Sequence, residues 1–332
     1  RRREFARRES FAAPLIDDFA GRSRAFVKVQ DGCDLRCTYC AIWRARGPGR
    51  SRTPEEVLAQ IDRLAEVGYR EMVLAGVHLG SYGHDRGERG ALVALLRRCA
   101  AERPGLRFRL SSIHPNEVGD ELLTTMAGHH ALRPHLHVSL QSGSDAVLRR
   151  MRRPYGARSA REAVERAVDH LPDCGIGADV IVGFPGETAA EFADTRRMVR
   201  DLPFSYLHVF RYSPRPGTVA ADRDATVHPE TVSERGAVLR ERARGKKEAF
   251  AARMCGEWRE AVLESPVGDG ARRGATTDNY VTVTVPRRAG EAGLLVRLRP
   301  TRIGEHGLEA DAVEALEAAA DGGAAGRREA VS

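Results

Sequence analysis

From residue 24 to about 211 the chain repeats one pattern, a short apolar run, a turn and then a helix-period segment. No other feature narrows the possible folds so far. Strands are predicted at Ala25–Gln30, Glu71–Gly76, Arg107–Ser112, His135–Leu140, Gly177–Val182 and Tyr206–Arg211, and helices near 54–67, 90–103, 116–128, 144–171 and 188–200. Thr53-Pro-Glu-Glu56 and Thr188-Ala-Ala-Glu191 have the form of capping boxes, the first with proline at the opening helical position. Strands alternating with helices imply parallel strands joined by crossovers. Six units fall short of the eight that close a barrel, so the expected core is α/β, an open partial (βα)6 barrel. A doubly wound sheet is the rival that periodicity leaves open.

Beyond the last of these units the character changes. Residues 235–253 form a basic helical stretch with seven Lys or Arg against two Glu, suited to a solvated face or to RNA contact. Glu257–Glu264, Tyr280–Val285 and Leu294–Leu298 then read as short β-runs with Gly- or Asp-containing turns between them, a small antiparallel β-barrel. The expected divisions are 1–21 as an interdomain linker remnant, 22–253 as the α/β domain with its basic helix, 254–316 as the small barrel and 317–332 as a disordered tail of low complexity. The chain opens on Arg1 with a charged stretch, so the expectation is a piece of a longer protein.

Composition excludes little. No run of eighteen apolar residues is present, which argues against a membrane span. The net charge of +7 is compatible with a polyanionic partner. Lys occurs only at 28, 246 and 247, however, and an arginine-for-lysine bias of this kind also fits the codon usage of a GC-rich genome.

The chemistry is concentrated in Cys33, Cys37 and Cys40, a C-x3-C-x2-C triplet directly after the first strand. The other cysteines, at 99, 174 and 255, are scattered, which is not how a disulfide framework is spaced. They read as buried thiols, and a reducing cytoplasm suits both groups. Structural zinc takes four ligands, usually as two separated pairs, and fully ligated iron–sulfur clusters take four cysteines. A triplet without its fourth member therefore points to a [4Fe–4S] cluster with one iron open to an exogenous ligand, held on a loop at the C-terminal face of the strands. Arg36, Arg44 and Arg46 would offset its negative charge. Zinc, or a metal-stabilised RNA-binding module without catalysis, is the alternative.

That triplet, in that position, resembles the radical S-adenosylmethionine (radical-SAM) superfamily. The resemblance implies that the open iron chelates S-adenosylmethionine, which one electron cleaves to a 5′-deoxyadenosyl radical. Further stretches resemble the methylthiotransferase branch: Ala45-Arg-Gly47 with Arg50-Ser-Arg52, Leu140-Gln-Ser-Gly-Ser-Asp145 with Arg149-Arg-Met151, Asp179-Val-Ile-Val-Gly-Phe-Pro-Gly-Glu-Thr188, and Tyr212-Ser-Pro-Arg-Pro-Gly-Thr218. By that resemblance Tyr39, Gly76, Gln141, Ser142 and Gly183 are assigned to S-adenosylmethionine, and Arg215 to the substrate nucleotide. Leu74-Ala-Gly-Val-His-Leu-Gly-Ser-Tyr-Gly83 and Ser111-Ser-Ile-His-Pro115 resemble the members acting on N6-threonylcarbamoyladenosine at position 37 of tRNA, and Gly274–Pro286 the appended TRAM barrel. Trp43 departs from the family, which commonly has a proline after the cysteine loop. The resemblance covers roughly residues 22–315. It implies a cytoplasmic enzyme that meets the anticodon stem-loop of tRNA, not DNA or membrane, and takes electrons from a one-electron reductant such as flavodoxin or ferredoxin. In the family a further N-terminal domain carries three more cysteines and a second [4Fe–4S] cluster. This stretch alone is therefore expected to cleave S-adenosylmethionine without methylthiolating tRNA, with isopentenyladenosine tRNA or a ribosomal protein as the alternative substrates.

Overall fold

The computed structural model describes residues 21–304 and 307–316, together with Ile16 and Phe19. The linker expected over 1–21, except for those few positions, and the tail expected over 317–332 lie outside the described residues. The first strand is β1 (Ala25–Asp31), followed by the short α1 (Ile42–Arg46), β2 (Arg50–Ser51) and α2 (Pro54–Glu66). Then come β3 (Glu71–Gly76), α3 (Ala91–Glu102), β4 (Arg107–Leu110), β5 (Ser112–Ile113), α4 (Asp120–Gly128) and β6 (His135–Gln141). The repeat ends with α5 (Asp145–Met151), α6 (Ala157–His170), β7 (Gly175–Val182), α7 (Ala189–Asp201), β8 (Tyr206–Arg211) and the long α8 (Pro229–Ala252).

The parallel strands neighbour one another in chain order, β1-β3-β4 and then β5-β6-β7-β8, with β4 and β5 separated by Ser111 alone. A doubly wound sheet reverses its strand order at a switch point; here there is no reversal, so that rival is set aside. The side chains explain why one face is covered. Val27, Leu74, Leu110, Leu136, Val138, Ile176 and Val180 join the helices in one large core. The alternate positions carry Gln30, Glu71, Arg109, His135, His137, Asp179, Tyr206 and His208, so these parallel strands alternate and enclose a polar interior.

Three predicted elements differ. The segment expected as one helix over 144–171 is two, because Arg152 takes a left-handed conformation (φ 57) ahead of Pro154 and Gly156. The third helix begins at Asp120, since Pro115–Glu117 forms a separate 3-10 turn. The third strand breaks at Ser111. Both capping boxes form as predicted, at Thr53 with Glu56 and at Thr188 with Glu191.

The C-terminal sheet comprises β9 (Arg259–Val267), β10 (Arg272–Thr277), β11 (Thr282–Pro286), β12 (Leu295–Arg299), β13 (Arg302–Gly304), β14 (Gly307–Glu309) and β15 (Ala312–Ala315). Their order is β13-β14-β11-β10-β9-β12-β15, antiparallel except for the β11–β14 pair. It has its own core, including Leu263, Val283, Val296 and Leu298, onto which Phe250 and Met254 pack from the end of α8 and just beyond it.

This sheet closes the N-terminal ends of the parallel strands. Arg109 donates to the carbonyls of Thr277 and Asp278 at 3.0 and 2.9 Å, and Tyr280 stacks on His135 with ring centres 4.3 Å apart. Buried Glu71 is held by Arg109 and Arg133 at 2.8 and 3.0 Å, and Arg133 and Arg107 both reach Glu260, at 2.7 and 2.9 Å. The opposite, C-terminal mouth carries the cysteine loop.

Candidate active site at the C-terminal mouth of the strands

The cysteine loop is folded tightly before any ligand is considered. Gly32 has φ 74, and a Cβ there would stand 1.9 Å from the carbonyl oxygen of Pro48. Only glycine permits that crossing, which lets the Cys33 amide donate to Gly47 O at 3.1 Å. Fully buried Gln30 ties the loop to the next strand end. Its amide nitrogen donates to Asp31 O and Gly32 O, and its carbonyl oxygen accepts from His78 N at 2.8 Å. Further on, Thr38 donates through its amide to Met151 O and through its hydroxyl to Arg150 O, while its own carbonyl accepts from Ala220 N.

Each sulfur has a nitrogen neighbour. Cys37 Sγ accepts from Arg153 Nη1 at 3.2 Å, Cys40 Sγ accepts from Ile42 N at 3.4 Å, and Cys33 Sγ lies 3.9 Å from His78 Nδ1. Burial pushes the Cys40 thiol up from its ordinary value. No cysteine is in a disulfide. Cys99 and Cys174 are sealed in the core as expected, where burial pushes both thiols up to about 12; Cys255, read in the same way, is only half-buried.

Tyr39 packs into a small apolar cluster with Val147, Met151, Phe184 and Tyr212, which draws the loops after β1, β6, β7 and β8 together. Gly76 ends β3, and a Cβ on it would press on Gln30 Cβ and Oε1 at 3.1 Å. Gln141 ends β6 with φ 67, a left-handed conformation that stores strain in a residue with a side chain. The Ser142 hydroxyl is fully buried and committed, 3.1 Å from Thr195 Oγ1 and accepting from Ser144 N. What Ser142 lends the mouth is the shape of the turn. Gly183 (φ 75) leaves room for Val232 of α8, and its amide donates to Glu187 Oε2 at 2.8 Å, a carboxylate held in turn by Arg235. Arg215 is exposed in the turn after β8, with its carbonyl accepting from the amide and hydroxyl of Thr218. The structure thus places Tyr39, Gly76, Gln141, Ser142 and Gly183 on one rim, with Arg215 on a separate exposed turn.

The cations differ from expectation. Arg36 and Arg44 lie over the ring of Trp43, at 4.0 and 4.9 Å, and Arg46 lies 3.8 Å from Asp31. The guanidinium that touches a cysteine sulfur is Arg153, delivered by the break between α5 and α6 that the periodicity missed. The Arg-Arg-Pro run and Gly156 carried the signal. His78 also reaches the cysteine loop, with Nδ1 3.9 Å from Cys33 Sγ. Its Nε2 meets Glu117, which also lies 3.5 Å from His114. Burial pulls the His78 imidazole down, and Cys33 and Glu117 outweigh it, carrying it up to about 9.

The Radical SAM superfamily profile matches residues 27–199, half of the chain, and spans the loop just described. The chain belongs to the radical SAM superfamily. A tRNA-2-methylthio-N(6)-dimethylallyladenosine synthase from Parafrankia sp. is 37% identical over 90% of this radical SAM chain and 66% of its own length. The threonylcarbamoyladenosine tRNA methylthiotransferase MtaB of Thermotoga maritima is 40% identical over 82% of this chain and 63% of its own. The chain therefore spans just under two thirds of the length of these curated relatives. Among solved structures, the radical S-adenosylmethionine methyltransferase TsrM from Kitasatospora setae superposes with a TM-score of 0.50, at 17% identity, over 59% of this chain and 36% of that one. At that identity the likeness is one of fold.

A radical SAM protein implies a [4Fe–4S] cluster and S-adenosylmethionine, and the residues fit. The three sulfurs do not all lie within 4.8 Å of one another, whereas thiolates on one tetrahedral zinc stand about 3.8 Å apart. The donor set is three thiols with nitrogen neighbours, one of them the half-buried Arg153 guanidinium, and the remaining cysteines, at 99, 174 and 255, stand apart in the chain.

Proposed function

We propose that this chain is the radical core of a tRNA methylthiotransferase that places a methylthio group on C2 of N6-threonylcarbamoyladenosine at position 37 of tRNA. The observation that carries the reading is the rim itself: three free thiols and their N–H donors stand over a polar interior, in a chain whose relatives are tRNA methylthiotransferases of both substrate types. Cys33, Cys37 and Cys40 would hold the cluster, and Tyr39, Gly76, Gln141, Ser142 and Gly183 would shape the seat of S-adenosylmethionine beside it. When bound, that pair supplies one-electron cleavage of a sulfonium carbon–sulfur bond.

The residues of the interior favour the threonylcarbamoyl substituent over the dimethylallyl one. His137 Nε2 and His208 Nδ1 meet the same oxygen of Asp179, at 3.0 and 3.3 Å, and Tyr206 bonds both His135 and His137. A face built of imidazoles, a carboxylate and a phenol suits a substituent with its own carboxylate, hydroxyl and urea groups. These groups already pair with one another, and a polar substituent can exchange hydrogen bonds with them where an apolar dimethylallyl chain gains none. Arg215 on the exposed turn is the residue to meet the nucleotide.

The test is nucleoside analysis by mass spectrometry in a strain lacking endogenous methylthiotransferases. Expression of the whole gene product is expected to yield the 2-methylthio derivative of threonylcarbamoyladenosine. Methylthiolated dimethylallyladenosine, or a modified ribosomal protein, would replace this assignment with the corresponding alternative.

A further inference from the structure

Arg153 is a half-buried cation whose guanidinium touches the cysteine loop. The turn that carries it is built for the purpose. Arg152 adopts a left-handed φ of 57, the Arg153 amide donates to Leu148 O at 2.9 Å, and Pro154 prevents α5 from running on into α6. The guanidinium then turns toward the rim. Nη1 donates to Cys37 Sγ at 3.2 Å and lies 3.4 Å from the Tyr39 hydroxyl, and Nε donates to the Tyr155 hydroxyl at 2.8 Å. Tyr155 is itself anchored, through contacts from its hydroxyl to the carbonyls of Ser139 and Leu140 at the end of β6. Nη2 is buried and has no acceptor among the described residues.

A guanidinium whose Nη2 is buried without a partner, and which has no carboxylate in contact, is expensive. Among the described residues its polar side-chain partners are Cys37, Tyr39 and Tyr155, with no carboxylate among them. The Cys37 sulfur is the group it faces, 3.2 Å away on a residue 6% exposed, and it would carry negative charge as a cluster ligand. The planar fork explains why arginine stands here, since one rigid group addresses a sulfur and a phenol at once and keeps a third donor in reserve.

We infer that Arg153 is a positioning residue that fixes the reduction potential of the cluster, holding the Cys37 thiolate through Nη1 and offering Nη2 to a second anionic acceptor on the cluster. One-electron reduction adds negative charge to a group already negative through its thiolates. A fixed, desolvated cation with N–H donors to sulfur favours the reduced state, so it raises the potential. The electron comes from a one-electron reductant outside the chain, and no bond of the protein changes. The inference rests on cluster binding and is independent of which substrate the enzyme modifies.

The experiment is an anaerobic redox titration of the reconstituted chain, followed by electron paramagnetic resonance, with iron counted in every sample. If the wild-type chain takes up no cluster, it is the cofactor reading that fails. With the cluster present, Arg153→Met is expected to shift the midpoint to more negative potential and slow 5′-deoxyadenosine formation, while Arg153→Lys keeps the charge and falls between. Should Arg153→Met fail to retain iron, Tyr155→Phe releases Nε from its anchor with the charge intact, and a displaced midpoint there supports the role. An unchanged midpoint with full iron would overturn it. So would weakened S-adenosylmethionine binding at an unchanged midpoint, which would give Arg153 to the nucleotide.

Discussion

A methyl group at Gly32 would stand 1.9 Å from a backbone carbonyl, in a residue whose φ of 74 already disfavours any side chain. The conformational part alone costs about 1–2 kcal/mol, and the collision cannot be relieved by rotating a side chain. Gly32→Ala is therefore expected to leave the parallel strands folded by circular dichroism while reconstituted iron falls to a small fraction of wild type; full iron content would show that the loop tolerates another path. The cysteine spacing was readable because three thiolates in eight residues admit few chemistries. The partners of those sulfurs were not. Arg153 lies far along the chain, and its approach depends on a left-handed residue at Arg152 that a continuous helical period conceals. His78 and Glu117 come together only because Gly80 has no side chain, since a Cβ there would overlap the Glu117 carboxylate. Close approaches of this kind are properties of three-dimensional packing and leave no period in the sequence.

Among the elements, helix starts were legible and one interface was not. The Thr53 and Thr188 boxes form because each closes locally, within four residues. Thr53→Ala is expected to lower stability by about 1 kcal/mol, measurable by denaturant unfolding, and no loss would mean that α2 is held by packing alone. Strand β10, by contrast, is Gly-, Ala- and Thr-rich, and five of its six residues are buried. Its residues do not alternate between apolar and polar, so no period of two marks it in the sequence. Several arginines of this sheet are committed within it: Arg273 is 2% exposed, Arg272 pairs with Asp311, and Arg302 with Glu309 and Asp311. The turn after β10 is one of the contacts that dock the sheet: a Cβ at Gly175 would come within 1.9 Å of Asn279 O. Gly175→Ala is expected to loosen that contact, seen as faster proteolysis between the two sheets, and unchanged proteolysis would place the docking elsewhere.

On the scale of the whole molecule, the two sheets are joined by Glu71, Glu260, Arg107, Arg109 and Arg133. Burial pushes the Glu71 carboxyl up, and the two guanidiniums beside it outweigh that and hold it below the usual range. Glu260 is likewise raised by burial and brought down by Arg107 and Arg133, to about 2. Both carboxylates are depressed in the folded state, so their contribution is complete above roughly pH 4.3, the unfolded glutamate value, and for Glu260 is lost as pH falls toward about 2. Glu71→Gln leaves two buried guanidiniums short of a counter-charge and is expected to cost about 3–5 kcal/mol, removing much of this acid sensitivity; a variant as stable as wild type would exclude the network as the joint. The architecture around it, six βα units followed by a second, largely antiparallel sheet, was legible from periodicity. The way the second sheet seals the N-terminal ends of the strands was not, because Arg109, Glu71 and Glu260 lie in separate segments that only folding assembles.

If Cys33, Cys37 and Cys40 hold a cluster with a corner open to S-adenosylmethionine, the anaerobically reconstituted chain given S-adenosylmethionine and dithionite releases 5′-deoxyadenosine. Product is expected in proportion to bound iron, and none after Cys37→Ala. Fully iron-loaded protein that never releases it, or release that survives loss of Cys37, would rule out such a cluster.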